Sequence, residues 1–148
     1  MLPATKKTTE FIHGLPGGCG LIIFDGACIL CSYTVGLLLK FDRSRKLRFT
    51  TLQSVNPEIH SLIACQSISS PDSVLLLSEG KIYTESQALL EIAGLMGGGW
   101  KLLLAGYLIP AFIRNKAYRF VARNRYRWFG RRLNCFVPRE EDKNRFIT

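Results

Sequence analysis

The chain has 148 residues, 47% of them hydrophobic, with 20 Lys and Arg against 11 Asp and Glu for a formal net charge of +9. That length and apolar content exclude a disordered polymer and suit one domain with a real core. Five cysteines, at positions 19, 28, 31, 65 and 135, are odd in number and widely spread, which excludes the dense framework of a small secreted scaffold and points to a reducing, cytoplasmic setting.

Residues 1–19 carry Lys6 and Lys7 but no apolar run long enough for a signal-peptide core, and read as a flexible leader. Gly20 to Phe24 is a short apolar strand that gives way through Asp25-Gly26 to a dense apolar pattern from Ile29 to Phe41, a mostly buried helix. Gly36 inside that helix predicts a close approach by another element. Leu47 to Leu52 alternates as a strand and completes a parallel strand-helix-strand crossover.

Asn56-Pro57 opens a second predicted helix, running to about Cys65. Ser73 to Leu77 and Lys81 to Tyr83 form a hairpin about Glu79-Gly80. Thr84-Glu85-Ser86-Gln87 has the form of a capping box, and Gly97 is placed to end the helix it starts. The order strand, helix, strand, helix, strand, strand, helix is that of a thioredoxin-like α/β fold, a mixed sheet flanked by helices, over residues 20–97.

Residues 98–148 depart from that plan as a basic helical extension packed on the same domain. Trp100 to Ile113 is apolar but interrupted by Pro110, too short to span a bilayer and suited to lying on the protein or on a membrane surface. In the helix that follows, Ala117, Phe120, Val121 and Asn124 mark one side and Arg119, Arg123 and Arg127 another. Residues 134–148 read as an irregular tail. No Asp or Glu lies between Ile92 and Arg139, where ten Lys and Arg fall, while the remainder of the chain is near neutral. The solvated-face reading of this charge stands beside an anionic partner; interleaved Trp, Tyr and Phe favour peripheral contact with an anionic membrane, and the lack of a recognised motif ranks nucleic acid below it.

The motif that carries chemistry is Cys28-Ile29-Leu30-Cys31 at the strand-to-helix junction. Two sulfurs on one helical turn are placed for dithiol chemistry, and the unpaired amides of a helix start favour a thiolate at Cys28. On that reading Cys28 faces solvent with a lowered pKa, and Cys31 is the more buried and less acidic thiol. Asp25, three residues earlier, is the candidate proton acceptor when Cys31 resolves a mixed disulfide. Inert burial and half of a zinc site remain alternatives. Zinc would need its other ligands from His13, His60, Cys19, Cys65 and Cys135, and no second CxxC follows, so no metal or cofactor is expected. A metal-dependent phosphatase reading of Phe24-Asp25-Gly26 fails because the second carboxylate position holds Ala27, and Gly97-Gly98-Gly99 lacks the Lys of a nucleotide cradle.

Taken in order, Phe24-Asp25-Gly26-Ala27-Cys28-Ile29-Leu30-Cys31, Arg48-Phe49, Leu52-Gln53-Ser54, Asp72 to Leu76, Tyr118 to Gly130 and Cys135-Phe136-Val137-Pro138 resemble the DCC family of thiol-disulfide oxidoreductases. The resemblance implies a thioredoxin-like domain with a redox-active Cys28–Cys31 pair and catalytic residues Asp25, Cys28 and Cys31. It also implies a disulfide-containing protein or small thiol substrate and a separate dithiol reductant. Thioredoxin has a proline before its third strand, where this chain has Asp72-Ser73, so the substrate-docking backbone is expected to differ. The alternative function is a binding module that uses the fold as a scaffold and the basic aromatic region for membrane or nucleic acid.

Overall fold

The computed structural model describes residues 18–54, 57, 60–61, 74–79, 81–131, 133 and 137–146. Four strands form one mixed sheet: β1 (Gly20–Phe24), β2 (Leu47–Thr51), β3 (Leu75–Ser78) and β4 (Lys81–Thr84), in the order β2-β1-β3-β4. β1 runs parallel to β2 and antiparallel to β3, and β3 is antiparallel to β4. Every residue of β1 is buried, because this central strand has no solvent edge and is covered on both faces. Helix α1 (Ile29–Phe41) makes the crossover between the parallel pair, and α2 (Glu85–Met96) follows β4. This mixed four-stranded sheet with flanking helices is the expected thioredoxin-like α/β fold.

The core gathers Ile22, Phe24, Phe49 and Leu76 from the sheet, Val35 and Leu38 from α1, and Ala88 and Ile92 from α2. Gly20 is required by this packing, since a Cβ there would meet Leu95 Cδ1 at 2.7 Å and Leu76 Cδ1 at 2.8 Å. Gly36 is not: nothing lies within 4 Å of where its Cβ would be, so the close approach expected there is absent among the described residues.

The β3–β4 connection is the predicted two-residue hairpin, with Ser78 opposite Lys81 and Glu79 at φ 50°, the positive φ that the tight primed turns demand. Gly97 ends α2 as expected, at φ 69° with its amide bonded to Ala93 O at 3.3 Å. The capping box does not form. Thr84 occupies the N-cap position without a side-chain hydrogen bond, and the neighbouring Glu85 carboxylate pairs with Arg119 Nε at 2.8 Å.

A 3₁₀ helix, Gly98–Leu108, then lies along α2 with none of its residues buried, and Pro110 caps α3 (Ala111–Phe129), which packs on α1 and α2. No helix among the described residues is long and apolar enough to cross a membrane. Arg125 is the one buried residue of α3. Phe120 and Val121 are 60% and 41% exposed, so the apolar side marked in the sequence faces outward while Tyr118, Ala122 and Arg125 turn toward the body of the protein. The predicted helix from Asn56 to Cys65 and the Asp72-Ser73 position fall almost wholly outside the described residues; Pro57, His60 and Ser61 are helical.

The tail is more ordered than its composition suggests. Residues Glu140–Arg145 form a second 3₁₀ helix, Arg145 is buried against Asp42, and Phe146 stacks on Phe49 with ring centroids 5.5 Å apart. Arg145 Nε and Nη2 donate to Leu47 O at 3.3 and 3.2 Å, and Asp42 in turn accepts from Leu47 N at 2.9 Å, so one ion pair ties the end of α1, the start of β2 and the C-terminal segment together. Phe146 also bridges to Phe49 on the otherwise open β2 edge. Removing one partner of a buried pair leaves an uncompensated charge, so Arg145→Met is expected to cost about 3–5 kcal/mol of stability. Chemical denaturation reads this directly, and a loss below about 1 kcal/mol would show the tail to be dispensable.

Candidate active site

β1 delivers Asp25 to the end of the sheet, and the chain then turns sharply into α1. Asp25 makes that turn itself: its Oδ1 accepts from Ala27 N at 3.0 Å and its carbonyl from Cys28 N at 3.2 Å. The β1–β2 ladder continues one step further through Leu52 N to Phe24 O at 2.9 Å, which sets Gln53 beside the turn. Gln53 Nε2 donates to Asp25 Oδ1 at 3.1 Å while Gln53 Oε1 accepts from Gly26 N at 3.4 Å, so one side chain clamps both residues.

Cys28 is the N-cap residue of α1, and its Sγ accepts the amide of Cys31 at 3.3 Å. A helix-start amide aimed at sulfur is the contact a thiolate uses best. The exposure of the two cysteines differs from expectation. Cys28 is fully buried at 0%, and Cys31 is 6% exposed. Cys28 belongs to the core cluster with Phe24 and Val35, and the chain leaving α3 adds an antiparallel bridge from Arg131 to Cys28 that no local sequence pattern reports. Cys31 instead lines a cavity of about 580 Å³ between α1, α2, the first 3₁₀ helix and α3.

Arg125 joins the three sequence-predicted residues. Its Nη2 lies 3.4 Å from Asp25 Oδ2 and its Nη1 3.6 Å from Cys31 Sγ, with Arg and Asp side chains only 4% and 9% exposed. Tyr126 donates its hydroxyl to the same Asp25 oxygen, and its ring lies 4.7 Å from the Arg125 guanidinium carbon. Burial pushes the Asp25 carboxyl up, but the hydrogen bonds from Tyr126, Ala27 and Gln53 and the Arg125 charge outweigh it and hold the group below the ordinary carboxylate value. Burial, together with the bond to and charge of Cys28, pushes the Cys31 thiol up to about 12, with Arg125 pulling against them. Cys31 is thus held well above the ordinary thiol value. Tyr126 is held up to about 12 by burial and by its bond to Asp25, so it remains a donor throughout the neutral range.

Asp25, Cys28 and Cys31 thus converge, whereas Gln53, Arg125 and Tyr126 complete the site without having been singled out. The arginine spacing held a signal: Arg125 breaks the four-residue row of Arg119, Arg123 and Arg127 and so must point elsewhere. Among the described residues no three His, Cys, Asp or Glu side chains converge as a metal site would require; His13, Cys65 and Cys135 lie outside them.

A dithiol at a helix start, a buried carboxylate and a guanidinium between them form a centre suited to sulfur exchange, and comparison with known proteins agrees. The family model of the DCC1-like thiol-disulfide oxidoreductases matches residues 22–131, from β1 through the Arg131 bridge. The uncharacterized protein YuxK of Bacillus subtilis (strain 168) is 33% identical over 129 residues, which cover 86% of this chain and 93% of that protein. A chloroplastic DCC family protein of Arabidopsis thaliana is 34% identical over 119 residues, 78% of this chain and 67% of the relative. No solved structure matches significantly. Because the matched span contains the whole Asp25–Cys28–Cys31–Arg125 arrangement, the chain belongs to the DCC1-like thiol-disulfide oxidoreductase family.

Proposed function

We propose that the protein exchanges electrons with protein or small-molecule disulfides through Cys28 and Cys31. The observation that carries this reading is the dithiol itself, with the Cys31 amide directed at Cys28 Sγ and the Arg125 guanidinium directed at Cys31 Sγ. The Cys28 thiolate attacks one sulfur of the substrate disulfide, forming a mixed disulfide and expelling the other sulfur as a thiolate. Cys31 then gives up its proton, which the expelled substrate thiolate can take through solvent, and attacks Cys28 Sγ, which releases the second substrate sulfur as a thiolate and closes the Cys28–Cys31 bond. The substrate has gained two electrons, and an external dithiol restores the pair. The same steps in reverse oxidise a substrate dithiol.

Arg125 acts in the second step by stabilising the thiolate that forms on Cys31. Asp25 serves that step as the carboxylate that anchors Arg125; a carboxyl held below its ordinary range is a weak base, which disfavours the direct proton acceptance expected from the sequence. Since Cys28 is fully buried, attack by Cys28 requires the chain around it, which includes the Arg131 bridge, to open. The odd number of cysteines suits a reducing compartment, and we place the protein in the cytoplasm.

A redox titration with alkylation and mass readout tests the function. Both thiols should become protected together at a single midpoint, in a variant lacking Cys19, Cys65 and Cys135 as in the parent chain. Persistence of two alkylatable thiols in oxidising buffer would exclude the redox reading.

A further inference from the structure

We propose that the surface formed by the first 3₁₀ helix and α3 docks on an anionic lipid bilayer, with the mouth of the Cys31 cavity turned toward the lipid. This goes beyond sulfur exchange and stands without it, because the contact is made by exposed apolar and cationic side chains that take no part in the exchange steps.

The exposed side of α3 is divided lengthwise. Ile113, Phe120, Val121 and Trp128 form an apolar stripe, 48%, 60%, 41% and 52% exposed, in which the Phe120 and Trp128 rings meet edge to face at 5.6 Å. Lys116, Arg119, Arg123 and Arg127 run beside it at spacings of three and four. Arg119 is paired with Glu85, while Lys116, Arg123 and Arg127 have no carboxylate partner among the described residues. Leu102 on the 3₁₀ helix, and Leu108 and Phe112 at the corner where it meets α3, stand 82%, 87% and 74% exposed. Soluble monomers rarely leave so many large apolar side chains together in water.

Charge decides the occupant. With Lys116, Arg123 and Arg127 exposed on it and no Asp or Glu between Ile92 and Arg139, a second copy seated on this face would set like charges against each other. Nucleic acid would satisfy the cations but offers nothing to Leu102, Leu108 and Ile113. An anionic bilayer answers both: headgroups meet the cation row while the apolar corner enters the boundary of the acyl region. No helix of the described residues is long and apolar enough to cross, so the contact is one of lying on the surface.

The cavity shares this face. Leu103, Ile109, Ile113 and Val121 line it and are also 52%, 47%, 48% and 41% exposed, so they form its rim while Cys31 and Arg125 lie deeper. Docking would therefore seat the rim against lipid.

Cosedimentation of the full chain with vesicles tests the proposal. Binding is expected to phosphatidylcholine vesicles containing one third phosphatidylglycerol, to weaken about tenfold or more from low to high salt, and to fall to background on phosphatidylcholine alone. Leu108→Glu with Phe112→Glu should abolish binding with an unchanged thermal melt, since both side chains are exposed, and Lys116→Gln with Arg123→Gln and Arg127→Gln should weaken it about tenfold and flatten its salt dependence. Cys28→Ser should bind as the parent does, which separates this proposal from the redox one. Absence of vesicle binding, binding unchanged in the Leu108 and Phe112 variant, or self-association through this face that excludes vesicles would overturn it.

Discussion

Cys28→Ser should reduce disulfide exchange to the background of the buffer while leaving the fold in place. Serine preserves the N-cap, because its hydroxyl can accept the Cys31 amide that Cys28 Sγ accepts at 3.3 Å, and serine is among the favoured residues at that position. What it lacks is a thiolate, the species that attacks and leaves in sulfur exchange. Stability should therefore change by less than about 1 kcal/mol. The complementary variant fixes the order of the steps: Cys31→Ser retains the attacking sulfur and loses the resolving one, so a mixed disulfide with substrate should accumulate on Cys28. Trapping on Cys31 in the Cys28→Ser variant, with none on Cys28 in Cys31→Ser, would reverse the assignment and make the cavity-lining thiol the nucleophile.

Arg125→Met should be costly twice over. It leaves Asp25 without its buried counter-ion, and breaking such a pair by removing one partner costs about 3–5 kcal/mol, roughly 10 °C or more in Tm for a chain of this size. It also removes the positive charge that lowers the Cys31 pKa, which already stands at about 12. Each further unit of increase reduces the thiolate fraction tenfold near neutral pH. The mixed disulfide should live correspondingly longer, with its formation at Cys28 much less affected. Arg125→Lys keeps the charge but loses the fork that reaches Asp25 Oδ2 and Cys31 Sγ together, and should fall between the two. The pH dependence distinguishes this role from simple packing. In the parent chain the Asp25 carboxyl is held below its unfolded value, so its contribution is fully present above about pH 4 and is lost as the pH falls through the folded value. Arg125→Met should flatten that acid dependence. An unaltered rate of mixed-disulfide resolution in the variant would remove Arg125 from the exchange step.

Much of the fold was legible in local pattern. The Gly20–Phe24 strand, the helix after Cys28, the Glu79-Gly80 hairpin and the helix stop at Gly97 each follow from short-range chemistry: alternation, a tight turn, a residue that tolerates positive φ. The expectations that differed depend on competition with distant groups. Thr84 to Gln87 spell a capping box, yet the Thr84 side chain makes no cap hydrogen bond, and Glu85 in the same turn pairs with Arg119 across the fold. Gly36 has the composition of a packing contact and meets no neighbour. Residues 140–145 carry the charge of a loose tail, yet Arg145 finds Asp42 at the end of α1 and draws the segment in.

The candidate site divides in the same way. The sequence by itself placed Asp25, Cys28 and Cys31 on one strand-to-helix turn, because that turn is local and its hydrogen bonds span only a few residues. Tertiary structure decided what surrounds them. Arg125 reaches Asp25 across 100 residues of chain, and Arg131 bridges to Cys28 from the same extension. Those contacts depend on how α3 rotates against α1 and α2, and that rotation is set by packing: Tyr118, Ala122 and Arg125 turn in and Phe120 turns out. A helical period of 3.6 residues identifies the two sides of α3, but it does not say which side the protein covers when both carry apolar residues and one buried charge has a partner waiting.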